Sequence, residues 1–114
     1  MAYNDLTQPS QKDLKTSFEE YFTENDERIR MTWFSATGNT IAIALELSGI
    51  GENPKDMEKI KSNSRKYVYE KVCNSPQILN FLSEGNQMSV DIRNGDTSML
   101  TNIMNLHITK KVCV

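Results

Sequence analysis

The stretch Arg28–Leu47, RIRMTWFSATGNTIAIALEL, decides the fold of this 114-residue chain. Ile29, Met31 and Trp33 alternate with Arg28, Arg30 and Thr32. Further on, Ile41, Ile43, Leu45 and Leu47 point one way and Thr40, Ala42, Ala44 and Glu46 the other. A period of two marks a half-buried strand, because successive side chains leave a strand on opposite faces. Between the runs lies Gly38-Asn39, residue types that accept the positive φ of a tight turn. The stretch predicts an antiparallel hairpin with one face in a core. Small Ala42 and Ala44 on the other face leave room for a close neighbour, which makes them candidate partner-binding residues.

Working outward, the period changes to that of a helix. Leu14, Phe18, Tyr21 and Phe22 form one apolar stripe after Pro9-Ser10, with Ser10 as N-cap, and Asn25-Asp26 ends the run. Downstream, Gly49-Ile50-Gly51 breaks the strand. Asn53-Pro54 then opens a second helix by N-cap and first-turn proline, with Met57, Ile60, Ser64, Tyr67, Val68 and Val72 inward. Asn74-Ser75-Pro76 repeats the signal for a short third helix carrying Ile78, Leu79, Phe81 and Leu82 up to Gly85. Met88, Val90 and Ile92 alternate again before Asn94-Gly95, a strong hairpin signal. The last run, Met99–Val112, sets Leu100, Met104, Leu106, Ile108 and Val112 on one face. It is long for one strand, so a bulge or a late start is expected.

The order α-β-β-α-α-β-β packs most simply as an α+β fold, a four-stranded antiparallel sheet with helices packed on one face. Residues 1–8 read as a flexible N-terminus and 9–114 as a single α+β domain.

A net charge of -2 and a pI near 5.4 give no reason to expect nucleic acid as a partner. No run approaches the roughly 18–20 apolar residues of a membrane span. Met1–Asp5 has neither a basic nor an apolar leader character, which suits either a cytosolic protein or an exported domain whose targeting segment has been removed.

Catalytic signals are sparse, and the expectation is a non-enzymatic protein with no cofactor and no metal. His107 is the sole histidine, on the polar face of the last strand beside Asn105 and Thr109; it reads as part of a docking surface rather than a catalyst. Glu19, Glu20, Glu24, Asp26 and Glu27 match no calcium-loop spacing and read as a solvated helix end. Gly49-Ile50-Gly51 before a helix faintly suggests a phosphate cradle, but a strand-to-helix connection explains it. Lys59, Lys61, Arg65, Lys66 and Lys71 make the second helix basic, most simply as a solubilising face. Met99 and Ile103 are candidate partner-binding residues on the open sheet face, flexible enough for peptide recognition.

Two cysteines and one histidine cannot complete a zinc site alone. Cys73 closes the second helix and Cys113 follows the last strand. Either they form a disulfide that pins that strand, worth about 4 kcal/mol over the intervening loop, or they are independent thiols in a reducing compartment.

Val72-Cys73-Asn74-Ser75-Pro76, then Leu79, Leu82 and Gly85, then Arg93-Asn94-Gly95 and a closing Cys113, resemble a class of small disulfide-containing bacterial envelope domains. Within it, residues 65–113 are similar to the α/β pilotins of type II secretion, which bind the secretin and guide it to the outer membrane. Pilotins carry an acylated N-terminal cysteine that has no counterpart here, so the anchor is expected to have been removed or never to have existed. The resemblance implies a structural Cys73–Cys113 disulfide and a periplasmic or exported location, cytoplasmic instead if the first Met is the native start. It also implies a monomer with an apolar groove between sheet and helix that takes another protein. Two other readings stay open. A small inhibitor or immunity protein would use the acidic Glu19–Glu27 region, and a cystatin- or NTF2-like enzyme would need His107 in a deep pocket.

Overall fold

The computed structural model describes residues 11–51, 53–97 and 101–113. The expectations for residues 1–8, the Pro9-Ser10 cap, Met99 and Leu100 lie outside these. The elements run α1 (Gln11–Thr23), β1 (Ile29–Thr37), β2 (Thr40–Leu47), α2 (Pro54–Cys73), α3 (Pro76–Ser83), β3 (Gln87–Asn94) and β4 (Asn102–Ile108), closed by a 3₁₀ turn, Lys110–Cys113. The caps are those expected. The Asn53 side chain accepts from the Lys55 amide at 2.9 Å and Ser75 Oγ from the Ile78 amide at 3.2 Å.

The strands lie in the order β1-β2-β3-β4. β1 and β2 are antiparallel, as are β3 and β4, in agreement with the two hairpins. The expectation of a purely antiparallel sheet is corrected at the centre: β2 and β3 run parallel, in register from Thr40↔Gln87 to Leu47↔Asn94. The cause is the unequal length of the two helices between them. The 20 residues of α2 span about 30 Å, enough to carry the chain back along the whole of β2. The eight residues of α3 span only about 12 Å and cannot return it. β3 therefore starts beside the start of β2, where the Gln87 amide donates to Asn39 O at 2.9 Å.

Two bulges refine the faces. Met31 pairs with Leu45 but the next pair is Trp33 with Ala44, so Thr32 is an extra residue in β1. The alternation flips there: Phe34 packs against the core, and Trp33, expected on the buried face, is 50% exposed on the other. In β4 the pairing skips Ile103, between Met104↔Ile92 and Asn102↔Arg93. This strand starts late and bulges, and Val112 belongs to the 3₁₀ turn.

The core lies between the sheet and the helices. Ile29, Met31, Ile41, Ile43, Leu45, Met88, Val90, Ile92, Leu106 and Ile108 face Leu14, Phe18, Phe22, Val68, Val72, Ile78, Phe81 and Leu82. Polar groups join α1 to α2. Tyr21 Oη donates to Lys71 O at 2.5 Å, Tyr67 Oη donates to Phe22 O, and the largely buried Lys71 ammonium lies 2.9 Å from Glu24 and 4.4 Å from the Tyr21 ring centre. A Cys73–Cys113 disulfide, with Cα atoms 5.4 Å apart, ties the end of α2 to the last turn of the chain. No helix among the described residues is long and apolar enough to cross a membrane.

Candidate functional site

The apolar stripe of α2 is longer than the core it seals. Val68 and Val72 in its second half are fully buried, whereas Met57, Ile60, Ser64 and Tyr67 remain half-buried. Beneath the middle of α2 lies a groove of about 300 Å³. Leu45 and Leu47 of β2, Ile29 of β1 and Ile92 of β3 form its floor, and Ile60, Ser64, Tyr67 and Val68 its roof. The groove therefore opens at the carboxyl ends of the parallel pair β2 and β3, where two chain directions agree and the crossover helix leaves the sheet.

The rim is polar. Asp26 and Arg28 stand on one side, with Arg28 Nε 3.0 Å from Asp26 Oδ1 and its Nη2 2.8 Å from Oδ2. These bonds hold the Asp26 carboxyl below the usual carboxylate range. Burial pushes the Tyr67 hydroxyl up, so it stays protonated and continues to donate to Phe22 O. Ser48 and Ile50, from the loop between β2 and α2, close the far side. That loop is gripped by the turn after β3. Asp96 Oδ1 accepts from the Gly49 amide at 2.9 Å, and Oδ2 accepts from Ile50 and Gly51, each at 2.7 Å. The cradle faintly legible in Gly49-Ile50-Gly51 is thus filled by the chain's own carboxylate, whose proton affinity the Gly49 and Gly51 amides lower most. An apolar floor inside a polar rim suits an apolar face of a protein segment whose other side stays wet.

The residues singled out from sequence are dispersed. Ala42 is half-buried on the open sheet face, in one row with Ser89 and the exposed His107. Ala44 is on the same face but fully buried between its cross-strand neighbours Trp33 and Asp91. Ile103 packs against the edge of the core. Met99 is outside the described residues. The groove was legible only in part: Ile60, Ser64 and Tyr67 stood in the α2 stripe, but Leu47, Ile50, Asp26 and Arg28 carried no signal of a shared site. Of the acidic cluster, Asp26 is engaged by Arg28 and Glu24 by Lys71. Among the described residues no group of three or more His, Cys, Asp or Glu side chains is placed to hold a metal ion.

No protein-family model and no curated protein sequence matches the chain. Solved structures do. A protein of Pseudomonas aeruginosa assigned as secreted aligns over 91% of this chain and 92% of its own, at 16% identity and TM-score 0.59. The pilotin EpsS of the Vibrio vulnificus type 2 secretion system aligns over 91% and 94%, at 18% identity and TM-score 0.59. The type II secretion pilotin AspS of Vibrio cholerae aligns over 90% and 84%, at 16% identity and TM-score 0.63. The likeness read in residues 65–113 therefore extends over nine-tenths of the chain, and its fold is one that two type II secretion pilotins share.

Proposed function

We propose that this chain is a non-enzymatic, pilotin-like accessory of bacterial secretion that binds a segment of a secretin subunit in the groove between α2 and the sheet. The groove carries the reading: it is the place where half-buried apolar residues of α2, Ile60 and Tyr67, face half-buried Leu47 and Ile50 at the end of β2 and in the loop after it. The fold shared with EpsS and AspS supports the choice of partner. The disulfide supports a periplasmic or otherwise exported setting, since such bonds persist in oxidising compartments.

A segment that lays apolar side chains on Leu47, Ile50 and Ile60 would cover apolar surface that this chain leaves half-exposed and would keep its polar face toward Asp26, Arg28 and Asn63. Association of this kind is driven by a few buried anchors rather than by total area. The test is co-purification with the secretin of the same organism's type II system. Ile60→Asp places a charge in the roof and is expected to abolish recovery, while Trp33→Ala, on the opposite sheet face, leaves it unchanged. Undiminished recovery with Ile60→Asp overturns the assignment of the groove.

A further inference from the structure

The densest set of backbone-to-carboxylate bonds in the described molecule lies beside the groove, and neither the fold nor the partner reading uses it. Gly49 and Gly51 have φ of +76° and +72°, a conformation that side-chain-bearing residues rarely adopt. It turns three successive amides toward one point, an anion-binding nest. Asp96 fills that point with both oxygens. The same turn grips the loop a second time: the buried Asn94 donates through Nδ2 to Gly51 O at 2.8 Å, and the Gly95 amide donates to Leu47 O at 2.7 Å. Asp96 is itself set by its amide, which donates to Asn94 Oδ1 at 2.8 Å. The residues so held, Leu47 to Gly51, include the groove-lining Leu47, Ser48 and Ile50.

We infer that Asp96 is a positioning residue of the groove: its carboxylate, seated in the Gly49–Gly51 nest, fixes the loop that forms the groove's far wall and so couples the β3–β4 turn to partner binding. The inference rests on reading the groove as the partner site. A nest of glycines has many other conformations open to it, and an ionised acceptor shared by three amides selects one of them. Asp96 does not line the groove; it acts through Ile50.

The experiment compares wild type, Asp96→Asn and Asp96→Ala by amide hydrogen exchange and by titration with Nile red, a neutral apolar dye used as the groove probe. Ile60→Asp reports whether the dye sits in the groove. In Asp96→Ala the Ile50 and Gly51 amides are expected to exchange about tenfold faster or more, with core amides such as Ile43 unchanged. Dye affinity is expected to fall about threefold or more as the competent loop population shrinks. Asp96→Asn should fall between, because a carboxamide offers one acceptor oxygen where two are used. Sodium formate, against sodium chloride of equal ionic strength, should restore slow exchange and dye binding to Asp96→Ala alone, by supplying a carboxylate to the empty nest. A variant that had simply unfolded has no nest and would not be rescued. Unchanged exchange at Ile50 and Gly51 in Asp96→Ala overturns the inference, and so does lost dye binding that formate fails to restore while the core stays folded. Dye binding indifferent to Ile60→Asp would instead refute the groove as the binding site, while exchange and formate rescue would still decide whether Asp96 holds the loop.

Discussion

Reducing the Cys73–Cys113 bond perturbs stability by opening a single covalent loop, which makes its cost calculable. The bond closes a loop across 40 residues of sequence. In the chain-entropy description, opening it frees the unfolded chain by about 4 kcal/mol. The native side changes little, because β4 is held independently by Leu106 and Ile108 in the core and by its pairing with β3. For a protein of this size, with a urea dependence of about 2 kcal/mol per molar, the unfolding midpoint should fall by about 2 M on reduction. The assay is equilibrium urea unfolding, followed by circular dichroism, of oxidised and reduced wild type and of the Cys73→Ser/Cys113→Ser double variant. The two thiol-bearing or thiol-free forms should agree with each other and differ from the oxidised protein. Hydrogen exchange separates global from local effects: a loss confined to Lys110–Cys113 would mean that the bond only stops fraying. Oxidised and reduced midpoints within about 0.3 M of each other would show instead that the loop-closure contribution is nearly absent.

Other outcomes follow from the polar seams and the exposed faces. Lys71→Ala removes a largely buried ammonium that meets Glu24 and the Tyr21 ring, and should cost about 1–3 kcal/mol in denaturant unfolding, whereas Lys71→Met keeps the packing and should cost less. Trp33→Ala, on the open sheet face, should change stability by no more than about 1 kcal/mol. Asp26 and Asp96 both have carboxyl groups whose proton affinity is lowered in the folded state, so their stabilisation is full above the unfolded carboxylate range, near pH 4, and disappears as pH falls through the lower folded values. A urea midpoint that is level from neutrality to about pH 4 and then declines, with a shallower decline in Asp26→Asn/Asp96→Asn, is the expected profile.

Much of the architecture was legible because local signals and global packing agree. The alternation in Thr40–Leu47, the cap-and-proline pairs at Asn53-Pro54 and Ser75-Pro76, and the stripe of α1 each specify one element and one buried face. The two hairpins were legible too, but the relative direction of β2 and β3 was not. Whether β3 runs with or against β2 depends on the length of α3 relative to α2, a sum over two helices that no short motif contains. Trp33 was misplaced because a single bulge residue, Thr32, exchanges the faces of everything after it; the adjacent apolar pair Trp33-Phe34, which no unbroken alternation accommodates, was the available clue. Ala44 lies on the face read for it, and its close neighbours are Trp33 and Asp91 on the adjoining strands, which cover its methyl. A groove between sheet and helix was expected from the resemblance, but its lining was not legible, because Ile29, Leu47 and Ile92 meet Ile60 and Tyr67 only once the parallel crossover has formed. Asp96 escaped for the same reason: a carboxylate in a turn gives no sign that a glycine loop 45 residues earlier needs an acceptor.

A photo-crosslinking side chain placed at position 60 and, separately, at positions 33 and 107 of the oxidised protein in its own host reports whether the groove under α2 receives a secretin segment. An adduct with the secretin subunit is expected from position 60 and none from positions 33 or 107. Secretin adducts from the open sheet face with none from position 60 would contradict that expectation.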